Sequence, residues 1–165
     1  MKYLPVIAFS LATAACVGLA SGDLRVGMST AEDVVRTLGE PVMQWSDPDG
    51  GRRYAYPAGP AGVSTTMVDI GADGRVTRID NVLAPESVAR LAAGMDKQQV
   101  LRALGPPEPS WTAYFQARDE LVWEWRVCDE WRQLARFDVL FDATQGIVRS
   151  TMTQREYCGR HSCWC

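Results

Sequence analysis

The chain has 165 residues, of which 47% are apolar and 22% charged, and its formal net charge is −3. That balance argues against a disordered chain, which combines low hydrophobicity with high net charge. There is no run of Lys or Arg, which argues against a nucleic-acid protein, whose affinity rests on clustered cations. The length suits one ordinary domain or two small ones.

The first elements are not part of a fold. "MKYLPVIAFSLATAAC" has an early cation at Lys2, an apolar stretch to about Ala15, then Cys16. It is shorter than the ~20 apolar residues a membrane-spanning helix needs, and it reads as an export signal over residues 1–15. Ala14 and Ala15 before Cys16 resemble a lipobox, in which the Cys is acylated and becomes the new N-terminus. Thr13 departs from the Leu usual there. The competing site is cleavage after Ala20, which leaves Ser21 first. With Cys16 acylated, Val17 takes the place where Asp resembles an inner-membrane retention signal. The expected destination is therefore the outer membrane, with a lipid anchor facing the periplasm.

The next element recurs. "GMSTAEDVVRTLGEP" from Gly27 returns as "GMDKQQVLRALGPP" from Gly94. In the first copy Ser29 and Glu32 have capping-box spacing. Val34, Val35 and Leu38 form an apolar stripe at helical period. Gly39 and Pro41 stop the helix. In the second copy Asp96 and Gln99 form the box, Val100, Leu101 and Leu104 the stripe, and Gly105 and Pro106 the stop. Helices this short are unstable alone in water, so each must pack on the segments C-terminal to it.

Those segments read as β structure in both copies. "VMQW", "RRYAY", "STTMVDI" and "GRVTRI" come after the first helix, separated by Gly- and Pro-rich turns. "SWTAYF", "ELVWEWRV", "LARFDVLFD" and "GIVRSTM" come after the second. By position Trp45 corresponds to Trp111, Tyr54 and Tyr56 to Trp123 and Trp125, and Gly74 to Gly146. Between the copies, "NVLAPESVARLAAGM" has Pro85 at a first helical position and an apolar face of Val88, Leu91 and Ala92. The matching stretch before Gly27 is shorter and holds at most a turn of that helix. The expectation is an α+β fold of tandem ααβββ-type repeats, with short helices on one face of antiparallel sheets. The divisions are a signal at 1–15, repeats at 16–82 and 83–153, and a Cys-rich tail at 154–165. Doubling would let the two sheets join side by side into one wider surface.

The motif GM-x-x-x-x-V-x-x-x-L-G-x-P, with aromatic strands after it and an F-D-x-x-G-x-V close, resembles the BamE/SmpA/OmlA family. Those are small outer-membrane lipoproteins of the β-barrel assembly machinery with an ααβββ fold. Gly94, Met95, Val100, Leu104, Gly105 and Pro107 carry the motif, and Phe141, Asp142, Gly146 and Val148 the close, with one extra residue between Asp142 and Gly146. Gly27, Met28, Val34, Leu38, Gly39 and Pro41 repeat it with one extra residue before Val34, and the first close is reduced to "IGADGRV". The tandem doubling departs from that family and is similar to the secreted β-lactamase inhibitor proteins, built from two such units. The resemblance spans about residues 24 to 153. It implies a non-enzymatic protein–protein scaffold at the outer membrane, with an envelope partner such as the assembly machinery. Its alternative is a soluble periplasmic or secreted enzyme inhibitor.

Beyond Cys16 four cysteines remain: Cys128, Cys158, Cys163 and Cys165. An even number in an exported chain points to two disulfides with three possible connectivities. The favoured arrangement ties Cys128 to one tail Cys and gives Cys163 and Cys165 different partners. With His161, the only histidine, the tail could instead hold zinc, but the two-residue spacing of Cys163 and Cys165 strains a tetrahedral site. No cofactor, metal, nucleic acid or small-molecule substrate is expected, and no motif of catalysis is present. On the strands, Leu121, Trp123, Trp125 and Val127 alternate with Val122, Glu124 and Arg126. Phe137, Val139 and Phe141 alternate with Arg136, Asp138 and Leu140. The aromatic set reads as the face under the helices. Glu124, Arg126, Arg136 and Asp138 on the opposite face are the expected partner-binding surface. Trp131, in a polar loop, is the remaining contact candidate.

Overall fold

The computed structural model describes residues 24–59, 61–159 and 163–165. The expectations for the export signal, Cys16 and His161 fall outside these residues. The fold is α+β, with two four-stranded antiparallel sheets and a few short helices.

The first repeat contains α1 (Ala31–Leu38), β1 (Met43–Ser46), β2 (Arg52–Pro57), β3 (Thr65–Ile70) and β4 (Val76–Asn81). The second contains α2 (Pro85–Val88), α3 (Lys97–Leu104), β5 (Ala113–Phe115), β6 (Glu120–Cys128), β7 (Leu134–Asp142) and β8 (Val148–Arg155). Each sheet is a meander whose strands lie in chain order. The two remain separate, so they do not merge into the single wide sheet expected from the doubling.

The recurring motif closes each unit on itself. Gly27 N–H donates to the Val76 carbonyl at 2.7 Å, and Gly94 N–H donates to that of Val148 at 2.8 Å. In return Val76 N–H donates to Ser29, and Val148 N–H to Met95. The Gly-Met segment thus pairs with the start of the last strand of its own repeat. Both glycines have positive φ, +78° and +90°, which only Gly adopts without strain.

The first cap lies one residue later than the spacing suggested. Thr30, not Ser29, accepts from Asp33 N–H, and Asp33 accepts from Thr30 N–H. Ser29 is otherwise engaged: its hydroxyl accepts from Arg25 N–H and its carbonyl from Val76 N–H. The extra residue of the first copy is absorbed here, before the cap. In the second copy Asp96 and Gln99 form the expected reciprocal pair. Residues 25–29 hold only a turn where the second repeat has α2.

Two cores result. Val34 of α1 packs with Leu24, Tyr54, Val68, Ile70 and Val76 on one face of the first sheet. Val88, Val100 and Leu104 pack on Trp125, Val127, Phe137, Val139 and Phe141 of the second. A third cluster lies on the other face of the first sheet, where Ala55 and Met67 are buried with Val82. Adjacent residues therefore serve different cores: Val82 joins the first sheet and Leu83 the second. Gly105, at the end of α3, lies against that third cluster. A Cβ there would come 2.9 Å from Thr65 Cγ2. Arg102 of α3 adds an ion pair to Asp47. The second repeat thus packs on the outer face of the first sheet.

Candidate functional site

The β6–β7 register sets like charges face to face. Glu124 lies opposite Asp138, and Arg126 opposite Arg136. Such pairs are unfavourable across a ladder. The structure resolves them diagonally and with a third strand. Arg136 Nη1 pairs with Glu124. Glu156, just beyond β8, accepts from Arg126 Nε and Nη2 at 2.8 and 2.7 Å and from Arg136 Nε at 3.0 Å. Arg126 pairs with it through two parallel bonds, the strong fork geometry of guanidinium and carboxylate. Hydrogen bonding from Arg126 first, and from Arg136, holds the Glu156 carboxyl below the usual range. The bond to Glu124 raises the Arg136 pKa.

Asp138 completes the row. The four charged residues do share the face opposite the aromatic layer, as the alternation implies. They do not form the open surface expected, because Asp138 is only 3% exposed and the others are partly covered. The ring of Trp111 lies 3.9 Å from the Arg136 guanidinium carbon, and Arg126 Nη1 donates to the Ala61 carbonyl of the first repeat at 3.1 Å. Gln154 Nε2 donates to Asp138 Oδ2 at 2.9 Å, while Oδ1 is buried without a partner. Burial pushes the Asp138 pKa up to about 6. The Gln154 bond and Arg136 oppose the rise, and the adjacent Glu124 reinforces it. The arrangement is a brace that holds the end of β8, the first-repeat loop and the middle of the second sheet together.

Trp111 does not correspond to Trp45. Trp45 is in β1, whereas Trp111 ends a 3₁₀ turn, Pro109–Trp111, that precedes β5. The Pro-rich stretch after α3 shortens the first strand of the second sheet and frees this Trp to cover Arg136. Beside it, a cleft of about 200 Å³ separates the repeats, walled by Pro57 and Ser64 on one side and Pro107 and Trp111 on the other. Trp125 lines its floor, with its indole N–H donating to the Pro106 carbonyl at 3.0 Å.

Trp131 lies at the tip of the β6–β7 turn and is 62% exposed. Asp129 shapes the turn, with Oδ1 accepting from the N–H groups of Trp131 and Gln133, both at 2.9 Å. Its Oδ2 accepts from Arg155 Nε at 2.6 Å. Burial raises the Asp129 pKa, but these donors outweigh it and hold the carboxyl low. The tail flanks the turn. Cys128 is bonded to Cys165 and Cys158 to Cys163. Leu134 N–H donates to Cys163 O, and Cys165 N–H to Arg132 O. Cys163 and Cys165 therefore have different partners, and Cys128 ties the tail to the sheet. Sulfurs engaged in disulfides are not thiolate ligands, and among the described residues no three metal-ligating side chains converge.

Sequence reasoning misses Glu156, Gln154 and Asp129. β8 runs to Arg155, past residue 153, where the sequence pattern ends the second repeat, so that pattern puts Glu156 in the tail. The two like-charge pairs are a usable signal: Glu124 neutralises Arg136 diagonally, which leaves Arg126 to find its counter-charge outside the two strands. Comparison of the chain with protein-family models, with curated proteins and with solved structures finds no match.

Proposed function

We propose that this protein is a non-enzymatic envelope lipoprotein, similar to the BamE outer-membrane assembly factor, that serves as a protein–protein scaffold on the periplasmic side of the outer membrane. The observation that carries this reading is the architecture of the unit itself. In each copy a Gly-Met pair closes the last strand of a four-stranded meander, and a capped helix covers one face of that sheet. A helix-covered antiparallel sheet is the plan implied by the motif resemblance, with a fourth strand in each copy where that plan has three. Acylated Cys16 supplies the anchor, at about 0.8 kcal/mol per buried methylene. Trp131 is the contact residue. It is a large exposed aromatic on a turn preorganised by Asp129 and stapled by Cys128–Cys165, so little entropy is lost when it is buried by a partner.

The tandem doubling favours a second reading, a soluble inhibitor resembling the β-lactamase inhibitor proteins. Intact mass and fractionation separate the two. The lipoprotein reading expects a diacylglyceryl group on Cys16, membrane association lost in Cys16→Ser, and co-purification with the β-barrel assembly machinery. Trp131→Ala should reduce that co-purification and leave the melting temperature unchanged. A mature N-terminus at Ser21, with a soluble enzyme captured instead, selects the inhibitor.

A further inference from the structure

The two sheets present four outer strands, and three have features that blunt pairing. β1 has four residues and β5 three, and β4 carries Arg78 and Asp80 in its middle. Short strands and mid-strand charges both discourage pairing with other chains. β8 has neither. It is eight residues long, and every residue from Arg149 to Arg155 is exposed. Between the two arginines lie Ser150, Thr151, Met152, Thr153 and Gln154, with no charge, Pro or Gly. At its start the free edge is already closed by Gly94 and Met95, which exchange hydrogen bonds with Val148. The open segment is therefore residues 149–155, and its centre is Met152.

We propose that β8 pairs antiparallel with β8 of a second copy of this chain, about a two-fold axis at Met152, joining the two second sheets into one of eight strands. The segment is nearly the same read in either direction. Two-fold pairing sets Met152 opposite itself, Thr151 opposite Thr153, and Ser150 opposite Gln154. Thr–Thr and hydroxyl–amide pairs are favourable neighbours on a ladder. At the ends Arg149 meets Arg155, but each is neutralised within its own chain: Arg149 by Asp142 at 2.8 Å and Arg155 by Asp129 at 2.6 Å. The register has no freedom to slide far, because pairing beyond Arg155 would run into the Gly94–Met95 segment of the second copy. Both faces gain cover. Met152, 45% exposed, meets its own equivalent. On the helix side, a groove of about 410 Å³ walled by Val88, Phe137, Thr151 and Thr153 is closed along its β8 side. The contact is isologous, so it ends at a dimer rather than a fibre.

The test is the mass in solution of the purified, disulfide-intact protein, by light scattering over a dilution series, together with three Cys variants and one charge variant. Wild type is expected to be a dimer that dissociates on dilution. Met152→Glu sets two carboxylates together on the axis and is expected to weaken association at least about tenfold, a 1.4 kcal/mol effect. Met152→Cys is expected to form an interchain disulfide, since directly opposed residues lie about 4.5–5.5 Å apart at Cα, within disulfide reach. Thr151→Cys, which does not face itself across the axis, and Arg78→Cys, on β4, should cross-link far less. A monomer at every concentration, a dimer indifferent to Met152→Glu, or equal cross-linking by the three Cys variants would overturn the proposal. So would Met152→Cys cross-linking to a different protein in place of a second copy.

Discussion

Gly39 and Gly105 end equivalent helices with nearly the same conformation, φ +83° and +77°. Around Gly39 a Cβ would meet nothing within 4 Å, whereas at Gly105 it would press on Thr65 and touch Met67 and Ala55. The motif is repeated and its surroundings are not. In the first copy the glycine only stops a helix. In the second it stops a helix and lets the two repeats approach each other. The same contrast holds for the sheets. The first is covered by α1 on one face and by the second repeat on the other. The second has helices on one face and, on the other, the braced row of Glu124, Arg126, Arg136, Asp138 and Glu156. The second repeat also holds the Trp123–Trp125–Phe141 aromatic cluster, and Cys128–Cys165 ties it to the tail. It is the platform on which the first rests.

Because of that dependence, removing Trp125 should unfold both repeats together. Trp125→Ala is expected to cost about 3–5 kcal/mol in urea unfolding, as for a large buried aromatic replaced by a cavity. A single transition is expected, because Trp125 also holds the Pro106 carbonyl next to Gly105. Two separated transitions would break the coupling.

Stapling is confined to the second repeat and its tail, and the two disulfides differ in reach. Cys128–Cys165 closes a separation of 37 residues and Cys158–Cys163 one of 5. By loop-closure entropy the first contributes about 4 kcal/mol and the second about 2. Paired Cys→Ala variants, compared by denaturant midpoint, should rank in that order, and the reverse order would mean that the tail does not brace the sheet.

The braced row predicts a pH dependence with a definite sign. Asp138 titrates near 6 in the folded protein against 3.8 for an ordinary aspartate, so the folded state holds its proton more tightly. That stabilisation is complete below about pH 4 and is lost as pH rises through 6. Asp138→Asn keeps the neutral form. Relative to this variant, wild type should lose up to about 3 kcal/mol between pH 4 and 7. A difference that stays flat with pH would show that Asp138 is not desolvated by the row around it.

The glycine pair gives the smallest single effect, at Gly39, and the most direct test of the comparison. Gly39→Ala should cost about 1 kcal/mol, from the positive φ alone. Gly105→Ala should cost a further ~1–3 kcal/mol, as expected for a side chain forced into a packed contact. Equal costs, read from thermal or urea melts, would mean that the repeats separate easily at this junction.

Much of the architecture is legible in the sequence because it is set by local forces. The helix stops at Gly39 and Gly105, the Asp96 cap, the eight strands and the alternation that buries Trp125, Phe137 and Phe141 all depend on residues a few positions apart. Adjacent Ser29 and Thr30 are ambiguous, since either hydroxyl can cap. Only the bond from Val76 N–H to the Ser29 carbonyl selects Thr30. An even number of cysteines beyond Cys16 implies two disulfides, but their pairing depends on where the tail returns beside residues 132–134. Alternation correctly assigns Glu124, Arg126, Arg136 and Asp138 to one face. It cannot say what covers that face, because Trp111, Ala61 and Glu156 arrive from three distant segments. Local chemistry decides which way a side chain points from its own strand. Whether that direction leads to water, to another repeat or into a buried row of charge is decided only when the segments pack, because burial belongs to the surface that arrives and not to the residue it covers.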